Sequence, residues 1–213
     1  MRGLRMMSAG DSAKVHDARG PEAFAQLREL EQQSEQIFHN QLTHLPGLLQ
    51  RPGYAAGLLG GITGLPGGDA GLAERVSQRV HRATAFEERL RGTDPPHLWA
   101  AVDEAALRRN VGGTAVMRDQ IAHLIALSEL ATVHLAIVPF GSGSHPGQIG
   151  TFEVHEVADG QSALFFEGAA GDELVVSDQE RARSHRDLVK GLVASSVTGS
   201  EARHLLEKIS DEL

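Results

Sequence analysis

Residues 96–140 run apolar, then break on glycine, then turn amphipathic, then run apolar again, and this order constrains the fold more than any other stretch. Residues 97–107 predict a strand. Gly112 and Gly113 permit a tight turn, and Thr114 is placed to cap a helix over 115–131. Met117, Ile121, Leu124 and Ser128 fall on one helical stripe with Ile125 beside it, so this helix covers a sheet. Residues 133–138 are apolar apart from His134, as a strand buried on both faces requires. Strand, crossover helix and strand make a unit with parallel strands.

The rest of the chain extends this unit in both directions. Pro21 opens an amphipathic helix whose stripe of Phe24, Leu27, Leu30, Ser34, Ile37 and Phe38 carries it to about His39. Residues 48–56 predict two short helical turns broken at Pro52, and the glycine-rich window 60–71 holds no regular element. Residues 72–91 form a helix stopped by Gly92. After the flexible loop 141–147, residues 151–155 alternate, with Phe152 and Val154 inward and Thr151, Glu153 and His155 wet. Asp159 and Gly160 make a hairpin turn to a strand over 162–167, and 173–176 adds a short edge. Asp178 caps a helix over 179–194, and Thr198 with Glu201 offers a capping box for a last helix to about Ile209.

The fold class is therefore α/β with α+β character: a mixed sheet of four to five strands, a βαβ unit followed by antiparallel strands, and helices at both ends. Residues 1–20 read as a loose tail and 21–213 as a single domain, with 21–92 helical, 96–176 the mixed sheet and 177–213 helical again.

The chain carries 28 acidic and 20 basic residues, a formal net charge of −8. That balance argues against direct nucleic-acid binding, which needs a concentrated positive surface. No cysteine is present, which excludes disulfides, thiolate metal ligands and cysteine nucleophiles. No segment has the apolar length of a signal-peptide core or a membrane span, so a cytoplasmic protein without membrane attachment is expected.

Glu104 is the most informative side chain. Strand alternation puts it on one face with Leu98, Ala100 and Val102, at the carboxyl end of a parallel strand, where open sheets hold ligands. Phe140 ends the second strand and the loop with His145 leaves from the same edge. The alternative is structural: Glu104 caps the next helix or pairs with Arg108, Arg109 or Arg118. Glu167 closes a later strand, at the same rim or the opposite one. Two carboxylates converging with His145 and Arg118 would suit acid–base chemistry. Eleven histidines invite a metal, but none shows zinc-helix spacing, so neither metal nor cofactor is expected. Ser142 and Ser144 lack a nucleophile elbow.

The order of these signals resembles an actinobacterial family, the domain of unknown function 5753, usually found as the C-terminal part of Xre-type helix-turn-helix regulators. The resemblance is carried by Leu30-Glu31, by Leu45-Pro46-Gly47-Leu48-Leu49-Gln50 with Tyr54-Ala55, and by Glu74-Arg75-Val76 with Arg79 and Arg82. It continues through residues 102–109, Val111-Gly112-Gly113, residues 116–120, Val138-Pro139-Phe140 and Gly150-Thr151-Phe152. Ala83 stands where the family usually has Gln, and Phe166 where it has Tyr. The 26 residues before the similarity are too few for a helix-turn-helix module, so a standalone copy is expected.

The resemblance implies a relative of the regulators' sensor half that binds a small molecule or a partner protein, with a homodimer among the expected states. The ligand-contacting set is then Tyr54, Arg82, Glu104, Arg118, Gln120, Phe140 and His145. The alternative is a small cofactor-independent enzyme of specialised metabolism, a ligase or acyl transferase, with Glu104, Glu167 and His145 catalytic.

Overall fold

The computed structural model describes residues 15–158, 160–168 and 171–213. In chain order the elements are β1 (Ala18–Arg19), α1 (Pro21–Gln33), β2 (Gln36–Gln41), α2 (Pro52–Thr63), α3 (Ala70–Leu90), β3 (His97–Asp103), α4 (Glu104–Arg108), α5 (Thr114–Leu127), β4 (Val133–Val138), β5 (Phe152–Glu156), β6 (Ser162–Phe166), β7 (Glu173–Val175), α6 (Gln179–Ser195), β8 (Val197–Thr198) and α7 (Gly199–Glu212). The strands form one mixed sheet of eight in the order β1-β7-β6-β5-β2-β3-β4-β8. β2, β3 and β4 are parallel, and every other neighbouring pair is antiparallel.

This topology has one consequence for function. β5 runs against β2 and β6 runs against β5, so β6 points the same way as β2, β3 and β4. The carboxyl ends of all four strands, and with them Gln41, Asp103, Val138 and Phe166, lie along a single rim. Glu167 is thus on the same rim as Glu104.

Side-chain alternation divides the core into layers. On one face, β2, β3 and β4 present Ile37, Leu98, Ala100, Val102, Leu135 and Ile137 to α2, α3, α5 and α7, while β6 and β7 present Ala163, Phe165 and Leu174 to α1. On the other face, among the described residues, α6 lies across the sheet, with Ala182, Val189 and Leu192 on Phe38, Ala101, Ala136, Phe152 and Leu164. The sheet is therefore buried on both sides, which is why its central strands read as unbroken apolar runs.

Several expectations are corrected. The first helix ends at Gln33 and not near His39. Ser34 turns extended and both its N–H and its hydroxyl bond Leu30 O, at 2.9 and 2.6 Å, closing the helix so that Ile37 and Phe38 become strand. The window 60–71 is not empty, since α2 runs to Thr63 and α3 starts at Ala70, capped by Asp69. The strand over 97–107 stops at Asp103, whose carboxylate accepts the Ala105 N–H at 2.8 Å and starts α4. Glu104 consequently lies in a helical turn and does not share the strand face of Val102. Gly113 rather than Thr114 is the N-cap of α5, and the Thr114 hydroxyl donates to Leu213 O instead. Thr198 likewise makes no side-chain capping bond. β5 is not wet on one side: Glu153 and His155 are buried beneath the helical layer.

Within the expected tail, Ala18 and Arg19 pair with Leu174 and Glu173, and Asp17 accepts from the N–H groups of Val176 and Ser177. Residues 1–14 and Asp159 of the expected hairpin lie outside the described residues. Among the described residues no helix is long and apolar enough to cross a membrane.

Candidate functional site

Between the two apolar clusters on the helical face runs a seam of charge. It begins on β2 and β5, where His39 and Glu153 face each other in register. His39 is completely enclosed, and its Nδ1 stands 3.4 Å from Glu153 Oε1. The other Glu153 oxygen meets His155 Nε2 at 3.3 Å, and His155 Nδ1 is 3.1 Å from Ser34 Oγ. The Ser34 hydroxyl is spent on Leu30 O, so the imidazole donates at that contact. Burial pushes the Glu153 carboxyl up, but His39 and His155 more than offset this and hold it well below the ordinary carboxylate range.

Above this pair, α3 delivers a row of arginines at helical spacing. Arg82 makes a two-pronged pair with Glu31 of α1 and lies over the Phe24 ring, and Arg89 donates to the carbonyls of Glu31 and Ser34. Burial disfavours the Arg82 charge, yet the bond to Glu31 raises its pKa overall. A groove of about 380 Å³ between α1 and α3 reaches down to Glu31, Arg82 and Arg89.

Arg79 differs from its neighbours. Among the described residues its one hydrogen bond is a long contact, 3.4 Å from Nη1 to Gln50 Oε1, and it forms no ion pair. Burial lowers its pKa, the nearby Arg82 charge adds to this, and Glu167, Glu153 and Glu31 oppose it from a distance. The guanidinium lies directly under Gly47, where a Cβ would come within 3.2 Å of Nη1. At the start of the same turn His44 Nε2 is 3.3 Å from Glu167 Oε2, a contact that holds the Glu167 carboxyl below its ordinary value. Burial pushes Asp172 up, and the Glu167 charge beside it adds to the shift. Three buried atoms on this face of β2 have no hydrogen-bond partner among the described residues: both ring nitrogens of His39, of which Nδ1 stands at ion-pair distance from Glu153, and Gln41 Oε1.

The residues expected from sequence fall into two groups. Glu167 and Arg82 belong to the seam. Glu104 lies elsewhere on the rim: Oε1 takes Arg108 Nε at 2.6 Å and Oε2 accepts the Phe140 N–H at 2.9 Å, the pairing foreseen by the structural alternative. His145 is beside it, with Nε2 3.4 Å from Asp103 Oδ2, and Phe140 is 59% exposed. Arg118 is not with them, since its Nε donates to Ser210 O. Tyr54 and Gln120 are fully buried in structural bonds: Tyr54 Oη accepts the Leu45 N–H, and Gln120 spans Leu49 O and the Arg51 N–H. Sequence reasoning missed His39, His44, Glu153 and His155 as site residues. Glu31 and Arg79 fall in the family-like stretches, where the sequence alone gives them no role.

A model of the family Domain of unknown function (DUF5753) matches residues 24–208. The chain belongs to this family. The match opens inside α1 and closes inside α7, so the DUF5753 domain takes in the whole charged seam and the rim above it. No curated protein and no solved structure matches the chain. Within this DUF5753 domain, no group of three or more histidine, aspartate or glutamate side chains among the described residues is arranged to hold a metal.

Proposed function

We propose that this DUF5753 domain is a binding module for a small polar molecule, seated at the rim where Arg79, His44 and Glu167 surround the Gly47 turn. The observation that carries the reading is Arg79: a half-buried guanidinium with one long hydrogen bond and no ion pair among the described residues, on the sheet face where His39 and Gln41 Oε1 also lack hydrogen-bond partners. Folding alone gives no return for that arrangement, because a desolvated charge and orphaned polar atoms each cost free energy unless something pairs with them. A ligand that supplies acceptors to Arg79 pairs that charge. The resemblance to the sensor half of helix-turn-helix regulators fits a module of this kind.

The reading of the domain as a cofactor-independent enzyme of acyl transfer or ligation draws on one observation, the His44–Glu167 contact at the half-exposed mouth, the geometry of a base oriented by a carboxylate. Glu104 offers it little, since both its oxygens are engaged.

The test is calorimetry and thermal shift on the full chain against a panel of polar metabolites, with Arg79→Met in parallel. A ligand at one hundred times its Kd is expected to stabilise the wild type by about 2.7 kcal/mol and the variant by almost nothing. Ligands that bind both proteins equally would place the site elsewhere. Turnover of such a ligand, lost in His44→Gln, would favour the enzyme.

A further inference from the structure

The charges at the rim are of both signs and on opposite ends of one short turn. Arg79 sits under Gly47, and Glu167 is held by His44, three residues earlier. On the carboxylate side Asp172 lies within electrostatic reach of both Glu167 and Arg79. A simple anion drawn to Arg79 would meet the repulsion of Glu167, Asp172 and the buried Glu153, all of which already act on that guanidinium or on one another. A simple cation drawn to Glu167 would meet Arg79. Neither species satisfies the site.

We infer that the ligand is a small zwitterion, an oxyanion and an ammonium in one molecule, with the oxyanion on Arg79 and the ammonium between Glu167 and Asp172. This rests on the reading of the rim as a binding site and specifies what that site accepts. The planar fork of Arg79 suits a carboxylate or a phosphate held by two parallel bonds. The raised Asp172 and lowered Glu167 agree with two carboxylates sharing too little positive charge.

The experiment is isothermal titration of the full chain at pH 7 with four sets of probes: the free amino acids together with O-phosphoethanolamine, their N-acetyl derivatives, their carboxamides, and plain mono-anions and amines. At least one free zwitterion is expected to bind tenfold or more tightly than its N-acetyl and carboxamide forms. Arg79→Gln should erase the discrimination against the carboxamide while keeping that against the N-acetyl form, and Glu167→Gln should do the reverse. Preference for an amino acid identifies a carboxylate at Arg79, and preference for phosphoethanolamine a phosphate. Binding of an N-acetyl derivative or a plain anion as tight as that of the zwitterion overturns the inference and leaves the binding module standing. No binding by any probe overturns both. Circular dichroism of the two variants, expected to match the wild type, guards against misfolding.

Discussion

Glu104 Oε2 accepts the backbone N–H of Phe140 at 2.9 Å while its other oxygen takes Arg108, so one carboxylate ties the end of β3, through α4, to the chain leaving β4. Glu104→Ala is expected to destabilise the domain by about 2 kcal/mol, since a bond to a charged group is lost and a backbone donor is left half-buried. Glu104→Gln should cost about half of that, because the amide oxygen still accepts from Phe140. Urea denaturation gives the magnitudes, and hydrogen exchange should show faster opening at the Phe140 amide in the alanine variant alone.

Two glycines of α2 are expected to respond with opposite signs. A Cβ at Gly57 would stand 2.7 Å from the Cα and N of Gly112, so α2 packs backbone to backbone against the turn before α5. Gly57→Ala must push these elements apart, at a cost of about 1–3 kcal/mol. Gly61 lies in the same helix, and a Cβ there meets nothing within 4 Å. Gly61→Ala should stabilise by about 0.5–1 kcal/mol through higher helix propensity and a less flexible unfolded chain. Thermal melts of the two variants decide both.

Which parts were legible in the sequence follows from how local their signals are. β3, α5 and β4 could be read because two-faced burial and a helical stripe leave marks within a dozen residues. β2 could not: Ile37 and Phe38 continue the spacing of Leu27 and Leu30, and the break is made by Ser34, an ordinary residue at a helix end. β1 and β8, two residues each, are too short for any period. Glu104 was assigned to a strand because Asp103 caps a helix in the middle of an alternating run. A capping reading of Asp103 was available from its residue type. The seam was the least visible part. Glu153 and His155 alternate with Phe152 and Val154 as a wet strand face would, and only α1 and α3, distant in sequence, make that face interior.

Glu153 gives the acid limb of stability its sign. Its carboxyl titrates well below the model-compound value of 4.5 because His39 and His155 outweigh its burial. A depressed carboxylate contributes stability that is complete above the unfolded pKa and is lost as pH falls through the folded one. The wild type should therefore lose stability steadily below about pH 4.5. Glu153→Gln should be less stable by about 2 kcal/mol near neutrality, since it removes the carboxylate that faces two buried imidazoles. The difference between the two proteins should shrink as the pH is lowered. Chemical denaturation at a series of pH values reads it out, and a difference independent of pH would show that Glu153 acts by packing alone.

Arg79 is expected to behave in the opposite way from the rest of the seam. Removing Glu31 or Glu153 leaves a partner unpaired, but removing Arg79 strands no carboxylate within ion-pair distance and frees only Gln50 Oε1 from a 3.4 Å contact. Burial already disfavours the guanidinium charge. Arg79→Met keeps the length and apolar stem of the side chain without the desolvated charge, and should raise stability by about 1 kcal/mol while abolishing ligand binding, the exchange expected where a site is kept at the expense of the fold. Gly47→Ala approaches the same point from above. Its Cβ, 3.2 Å from Nη1, displaces the guanidinium by a few tenths of an ångström. That variant should weaken binding with little change in melting temperature, and a loss of stability in Arg79→Met would instead mark Arg79 as a structural residue.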